Sequence, residues 1–318
     1  MNNIQTTPPP RTLLIAAFAA IYIVWGSTYL AIRVVVETLP PFLSAGARFL
    51  VAGAMLLLLL RARGTPMPSR DQWRAATVTG VLLLLGGNGL VVWAEQSISS
   101  GFTALLVALA PVWFALLEWL RPNGVRPRTK TVVGIIIGFI GVAMLVNARG
   151  SSQGQTHWLG ILAVLLAGFL WAAGSLYSKH KNSGGSPWMN AAAQMLCGGV
   201  ALALTGLLFG EPFRTDWAGV SGRSLAALVY LIVFGSWIGF SAYVWLLKAS
   251  TPARVSTYAY VNPVIAVLLG WAMLGETLDW RMLWGALVIV VGVITITVPQ
   301  SALANVFNRM KSAPARVR

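Results

Sequence analysis

Apolar runs of about twenty residues alternate along this chain with short breaks rich in glycine, proline or basic residues. Ten such runs fall at 13–32, 42–60, 75–95, 102–120, 130–147, 159–178, 188–208, 225–247, 254–273 and 281–298. Each matches the ~20 apolar residues that carry a helix across a bilayer. The breaks have turn chemistry: Pro40-Pro41, Gly64-Thr65-Pro66, Arg121-Pro122-Asn123-Gly124, Gly184-Gly185-Ser186-Pro187 and Thr251-Pro252. The pattern predicts an all-α polytopic membrane protein of ten transmembrane helices, with the lipid bilayer as its first partner.

Composition sharpens this. Of 318 residues, 57% are hydrophobic and 10% charged, against about 25% charged in soluble domains. Mean hydropathy is +0.74. A soluble enzyme, a disordered tail protein and a nucleic-acid binder are all excluded, because nothing is polar enough to coat a globular surface. The net charge of +15 is topology signalling. With the N-terminus inside, the tails and every second loop hold 17 Lys and Arg, including Arg61, Arg63, Arg70 and Arg74, against 5 on the other side. The positive-inside rule then puts both termini in the cytoplasm.

The two halves of the chain repeat. Trp25 to Arg33 lies over Trp171 to Lys179 at an offset of 146, as does Arg48 over Gln194. Trp93 meets Trp245 and Pro111 meets Pro263 at 152, and Gly134 and Gly141 meet Gly285 and Gly292 at 151. The first run is the counterpart of the sixth, so it is not expected to be a cleaved signal peptide. A unit of five spans forces its second copy to enter the membrane from the opposite side. The expected organisation is a tail over 1–12, a first repeat over 13–147, a linker over 148–158, a second repeat over 159–298 and a basic tail over 299–318. Inverted repeats of this kind suit transporters with a midplane site and alternating access.

Trp25-Gly26-Ser27-Thr28-Tyr29, Arg48-Phe49, Asn88 with Glu95, and the run Tyr258 to Pro263 with its Asn262 resemble the EamA-type permeases of the drug/metabolite transporter superfamily. Within it the chain looks similar to the YedA-like permeases of the bacterial inner membrane. That resemblance implies a ten-helix fold, usually a monomer, with a central cavity, and relatives that export amino acids and other small metabolites.

The residues themselves nominate candidates. Polar groups inside spans need a partner or a wet cavity. Arg48 stands ~9 Å deep in the second span at 1.5 Å per residue, and Glu95 is the acid at comparable depth. Together they read as a pair that grips substrate charges, or as Arg48 capping carbonyls and fixing helix packing. Asn88, within Gly86-Gly87-Asn88-Gly89, offers donor and acceptor to a ligand, or acts as packing glue. Trp25 and Tyr29, with Trp93, Trp171 and Trp245, are candidates for stacking, although interfacial belts absorb many tryptophans. Tyr258 and Asn262, four apart, share a helical face that Tyr260 does not. Pro111 and Pro263 each free a carbonyl and should kink spans four and nine as hinges. The glycine pairs of spans five and ten predict close helix packing. Arg33, Lys179, Glu118 and Arg121 lie near span ends, where long side chains can snorkel, and Glu118 is one candidate proton carrier.

No catalytic, cofactor or metal site is predicted. Cys197 is single, His157 and His180 are too few for a metal, and the eight acids are scattered. An intramembrane enzyme is thereby disfavoured. The sequence reads as a carrier exporting small metabolites, amino acids or related compounds, with drugs or other hydrophobic or cationic compounds as the alternative cargo.

Overall fold

The computed structural model describes residues 10–121, 129–150, 158–181, 185–250, 252–275 and 280–297. Most of both expected tails and of the 148–158 linker lie outside the described residues, as does the side chain of Tyr260. Among the described residues the chain is all helical. Seven helices are long and apolar enough to cross a membrane: α1 (Arg11–Val35), α2 (Pro41–Ala62), α3 (Arg70–Ala94), α4 (Ser100–Leu120), α6 (Trp158–His180), α7 (Pro187–Leu208) and α8 (Gly222–Ala249). Three more, α5 (Thr129–Gly150), α9 (Tyr258–Leu274) and α10 (Trp280–Thr297), contain shorter apolar stretches.

Local chemistry sets many of the ends. Pro41 and Pro187 open α2 and α7, where a missing N–H costs nothing. Ser69 and Gln72 close a capping box on α3. At the far ends of α3 and α8, repeat-equivalent cations do equivalent work. Arg33 donates to the Glu95 carbonyl, and Lys179 Nζ donates to the carbonyls of Leu247 (3.2 Å) and Ser250 (2.9 Å). A cation at a helix C-terminus satisfies orphan carbonyls and opposes the dipole.

One cap crosses between the halves. Gly210, at φ +69°, turns the chain after α7 and brings the carboxylate of Glu211 to the α2 N-terminus. There it accepts from the Phe42 and Leu43 amides at 3.0 and 2.8 Å. Glu211→Ala is expected to lower stability by about 1–2 kcal/mol. Glu211→Gln should keep part of that, because an amide oxygen still accepts. Thermal unfolding of the purified protein compares the two.

The glycine pairs behave as their spacing predicts. A Cβ on Gly141 would stand 2.7 Å from Ile289 and 3.0 Å from the Gly285 carbonyl. One on Gly292 would meet the Gly138 amide at 2.7 Å and the Gly134 carbonyl at 2.8 Å. Helices α5 and α10 therefore touch backbone to backbone and run antiparallel. The same holds for α2 and α7, where contacts climb one helix as they descend the other: Gly46 to Ala203, Leu50 to Gly199, Gly53 to Leu196.

Two irregularities shape the interior. Helix α4 breaks at Ala108–Leu109, just ahead of Pro111, as the missing proline donor requires. Helix α9 passes through Pro263 unbroken. The chain is interrupted earlier, at Ser256–Thr257, after a one-turn helix at Pro252–Val255. Helices α1, α3 and α8 also widen into π-helical stretches at Ala20–Val24, Val81–Gly89 and Leu231–Phe240. The last two occupy equivalent positions of the repeat, and their glycines (Gly86, Gly87 and Gly89; Gly235 and Gly239) allow neighbours to press onto the widened backbone. Such stretches often mark functional sites.

Candidate functional site

The widened helices enclose a cavity of about 70 Å³ lined by residues that include Trp25, Thr28, Tyr29, Arg48, Phe49, Asn88, Trp171, Phe240 and Tyr258. At ~10–15 Å³ for one water, this is room for a handful of waters or a small solute group.

Its walls are mainly aromatic, and the repeat organises them. Trp25 and Trp171 meet edge to face at 5.6 Å between centroids. Each ring lies on a glycine of the other half: Trp25 against Gly239, Trp171 against Gly87, where a Cβ would come within 2.5 and 2.7 Å. Trp25 Nε1 donates to the Gly235 carbonyl at 3.1 Å, while Trp171 Nε1 donates to the Tyr243 hydroxyl at 3.0 Å. Tyr258 closes the cluster against Trp25 at 5.3 Å. Offset and edge contacts of this kind hold rings rigidly.

Arg48 is 4% exposed. The Arg48–Glu95 ion pair expected from their depths is not formed. Instead, Nε of Arg48 donates to Ser236 Oγ at 2.6 Å, and its Cζ lies 4.6 Å from the centre of the Phe49 ring. Gly235 makes the room: a Cβ there would stand 2.9 Å from Nη2. Arg48 Nη1 is buried without a hydrogen-bond partner, and so is Asn88 Oδ1. Among the described residues no acid lines the cavity.

The structure thus brings Trp25, Tyr29, Arg48, Asn88 and Tyr258 together, with Trp171. Glu95 and Asn262 stand apart from the lining. Glu95 is fully buried just beyond α3. With its amide nitrogen turned to α1, Asn262 donates to the carbonyls of Tyr22 (2.9 Å), Ile21 (3.2 Å) and Tyr258 (3.2 Å). Two of these belong to the π-helical stretch of α1, so Asn262 ties α9 to a widened backbone. Trp93 lines a vestibule at the 36–41 end of the helices, and Trp245 stacks on Trp188 at 6.4 Å. Glu118 pairs with Arg121 at the end of α4, at 3.4 Å and about two-fifths exposed. Sequence reasoning missed Ser236 and Tyr243. Ser236 was findable, being a polar residue beside a glycine in an apolar run; Tyr243 carried no comparable signal.

Two clefts lie at equivalent places in the halves. One holds Arg48 with Ile32, Val35, Ser44, Val92, Leu228 and Leu231. Its counterpart holds Gln194 with Ser178, Lys181, Asn190, Val244, Ala76 and Thr79, together with Lys248. The first is apolar around its arginine, and the second is polar. Beyond the 36–41 end of the helices lies a vestibule of about 870 Å³, bordered by Glu37, Glu211, Arg214 and Asp216.

A polytopic helical membrane protein with a small, polar-tipped aromatic cavity is the class these features define. Residues 12–147 and 158–298 each match the EamA-like transporter family, and the chain belongs to that family. It is 41% identical over 286 residues to the uncharacterized inner membrane transporter YedA of Escherichia coli (strain K12), covering 89% of this chain and 90% of that one. It is 27% identical over 296 residues to the uncharacterized transporter YvbV of Bacillus subtilis (strain 168), covering 93% and 94%. A crystal structure 22% identical superposes with a TM-score of 0.67, covering 90% of this chain and 98% of the other, which is a likeness of fold. The chain is a small-molecule transporter of this family.

Proposed function

We propose that this protein is a bacterial inner-membrane carrier that exports small metabolites, amino acids or related compounds, by alternating access between two inverted five-helix repeats. On this reading all ten helices span the membrane, the termini are cytoplasmic, and the chain works as a monomer. The observation that carries it is the cavity at the seam, where Trp25 of one half and Trp171 of the other face each other. The antiparallel contacts of α2 with α7 and of α5 with α10 support inversion, since these are the equivalent helices of the two repeats. The paired clefts support alternation: a two-fold exchange of conformations would give each the other's role. The 41% identical relative is named as an inner membrane transporter, and the basic loops favour the stated orientation.

Aromatic walls favour a second cargo, hydrophobic or cationic compounds, because ring faces attract cations. Reconstitution into liposomes with a labelled panel of amino acids, small acids and lipophilic cations tests both. A carrier should give saturable flux and trans-stimulation. Flux no greater than from empty liposomes across the panel would remove the transport reading of this cavity.

A further inference from the structure

We infer that the cavity holds its solute by a carboxylate, and that Arg48 is the group that binds it. The inference rests on the carrier reading above and names the charge class of its substrate. A buried cation without a counter-ion bears a heavy desolvation cost. Arg48 is 4% exposed, its Nη1 has no hydrogen-bond partner, and no acid lines the cavity among the described residues. Packing does not demand the charge, since Gln194 fills the equivalent place on α7 without one. What the lining lacks, among the described residues, is an anion.

The geometry suits a carboxylate. Ser236 holds Nε at 2.6 Å, which fixes the plane of the guanidinium, while Nη1 is buried without a partner. A planar fork held on one side matches the two oxygens of a carboxylate. Asn88 also lines the cavity, and its Oδ1 is buried without a partner; turned towards the cavity, it would accept from a hydroxyl, amide or ammonium elsewhere on the solute. Trp25 and Tyr258 supply apolar faces between. Lys181 and Lys248 border the separate polar cleft, where the local field also favours anions. A lipophilic monocation meets the wrong sign at both places.

The test uses the full-length protein in lipid nanodiscs at constant ionic strength. Thermal unfolding is followed against propionate, propionamide and propylammonium, against their 3-phenyl derivatives, and against chloride and inorganic phosphate. Carboxylates should stabilise with an apparent Kd at least tenfold below that of the matched amides, ammonium compounds should not stabilise, and the inorganic anions should bind more weakly. Arg48→Gln should erase the carboxylate–amide difference, and Arg48→Lys should keep the preference at lower affinity. Should Arg48→Gln fail to fold, the wild-type series and Ser236→Ala, which frees the guanidinium, still decide the matter. Amides binding as tightly as carboxylates, inorganic anions binding more tightly than either, or an unchanged preference in Arg48→Gln would each overturn the assignment. Saturable flux of neutral or cationic solutes without carboxylate preference would overturn it while leaving the carrier reading intact; absence of any flux would remove that reading instead.

Discussion

Replacing Gly239 with alanine is expected to reduce transport at least about fivefold while the protein still assembles in the membrane. The added methyl would stand 2.5 Å from Trp25 Nε1 and 2.9 Å from its Cδ1. Trp25 cannot turn aside cheaply, because Trp171, Tyr243 and Tyr258 pack against its ring at 5.0 to 5.6 Å between centroids. Its indole would also lose the bond to the Gly235 carbonyl. Overpacking of a rigid interior typically costs 1–3 kcal/mol, about five- to 150-fold in any step that needs the ring in place. Gly87→Ala makes the matching test in the other half, where the methyl would stand 2.7 Å from Trp171. Flux in proteoliposomes, compared at equal reconstituted protein, reads both. Near-normal flux in the two variants would mean that the tryptophan pair is not part of the working site.

The second large effect should be on stability. Gly292→Leu would force a side chain against the backbone of α5, with its first carbon 2.7 Å from the Gly138 amide and 2.8 Å from the Gly134 carbonyl. Backbone cannot rotate away as a side-chain tip can, so the two helices must separate along their length. A loss of about 3 kcal/mol or more is expected, at the upper end of overpacking costs, seen as a lower Tm and a smaller monodisperse yield. Gly222→Ala is the control, since a Cβ there meets nothing within 4 Å. Equal Tm values for the two variants would show that the α5–α10 contact contributes little.

Much of this architecture is written locally. Hydropathy marks the helices because the bilayer requires every backbone group to be bonded within its own segment. Gly134 and Gly141, spaced seven apart and repeated as Gly285 and Gly292, announce a close crossing from their spacing alone. The cluster around Asn88 announces a weakened helix, and Pro111 a kink. Pro263 was equally legible as a proline, yet its helix continues through it. The local rule names a freed carbonyl but not whether the helix will be interrupted there.

Partner choice is another matter. Depth, which sequence can estimate, matches Arg48 with Glu95, but the rotation of α8 about its axis decides what the guanidinium meets. Ser236 lies 188 residues further along the chain, and nothing local to either residue records their meeting. Asn262 has the composition of a ligand-binding residue, yet its amide serves carbonyls in the widened stretch of α1. The sequence by itself therefore determined the helical segments, the duplication and the places where helices must touch. The tertiary structure decided which polar atoms remain unpartnered in the cavity, because that depends on how separate helices turn towards one another, and helical periodicity is silent on it.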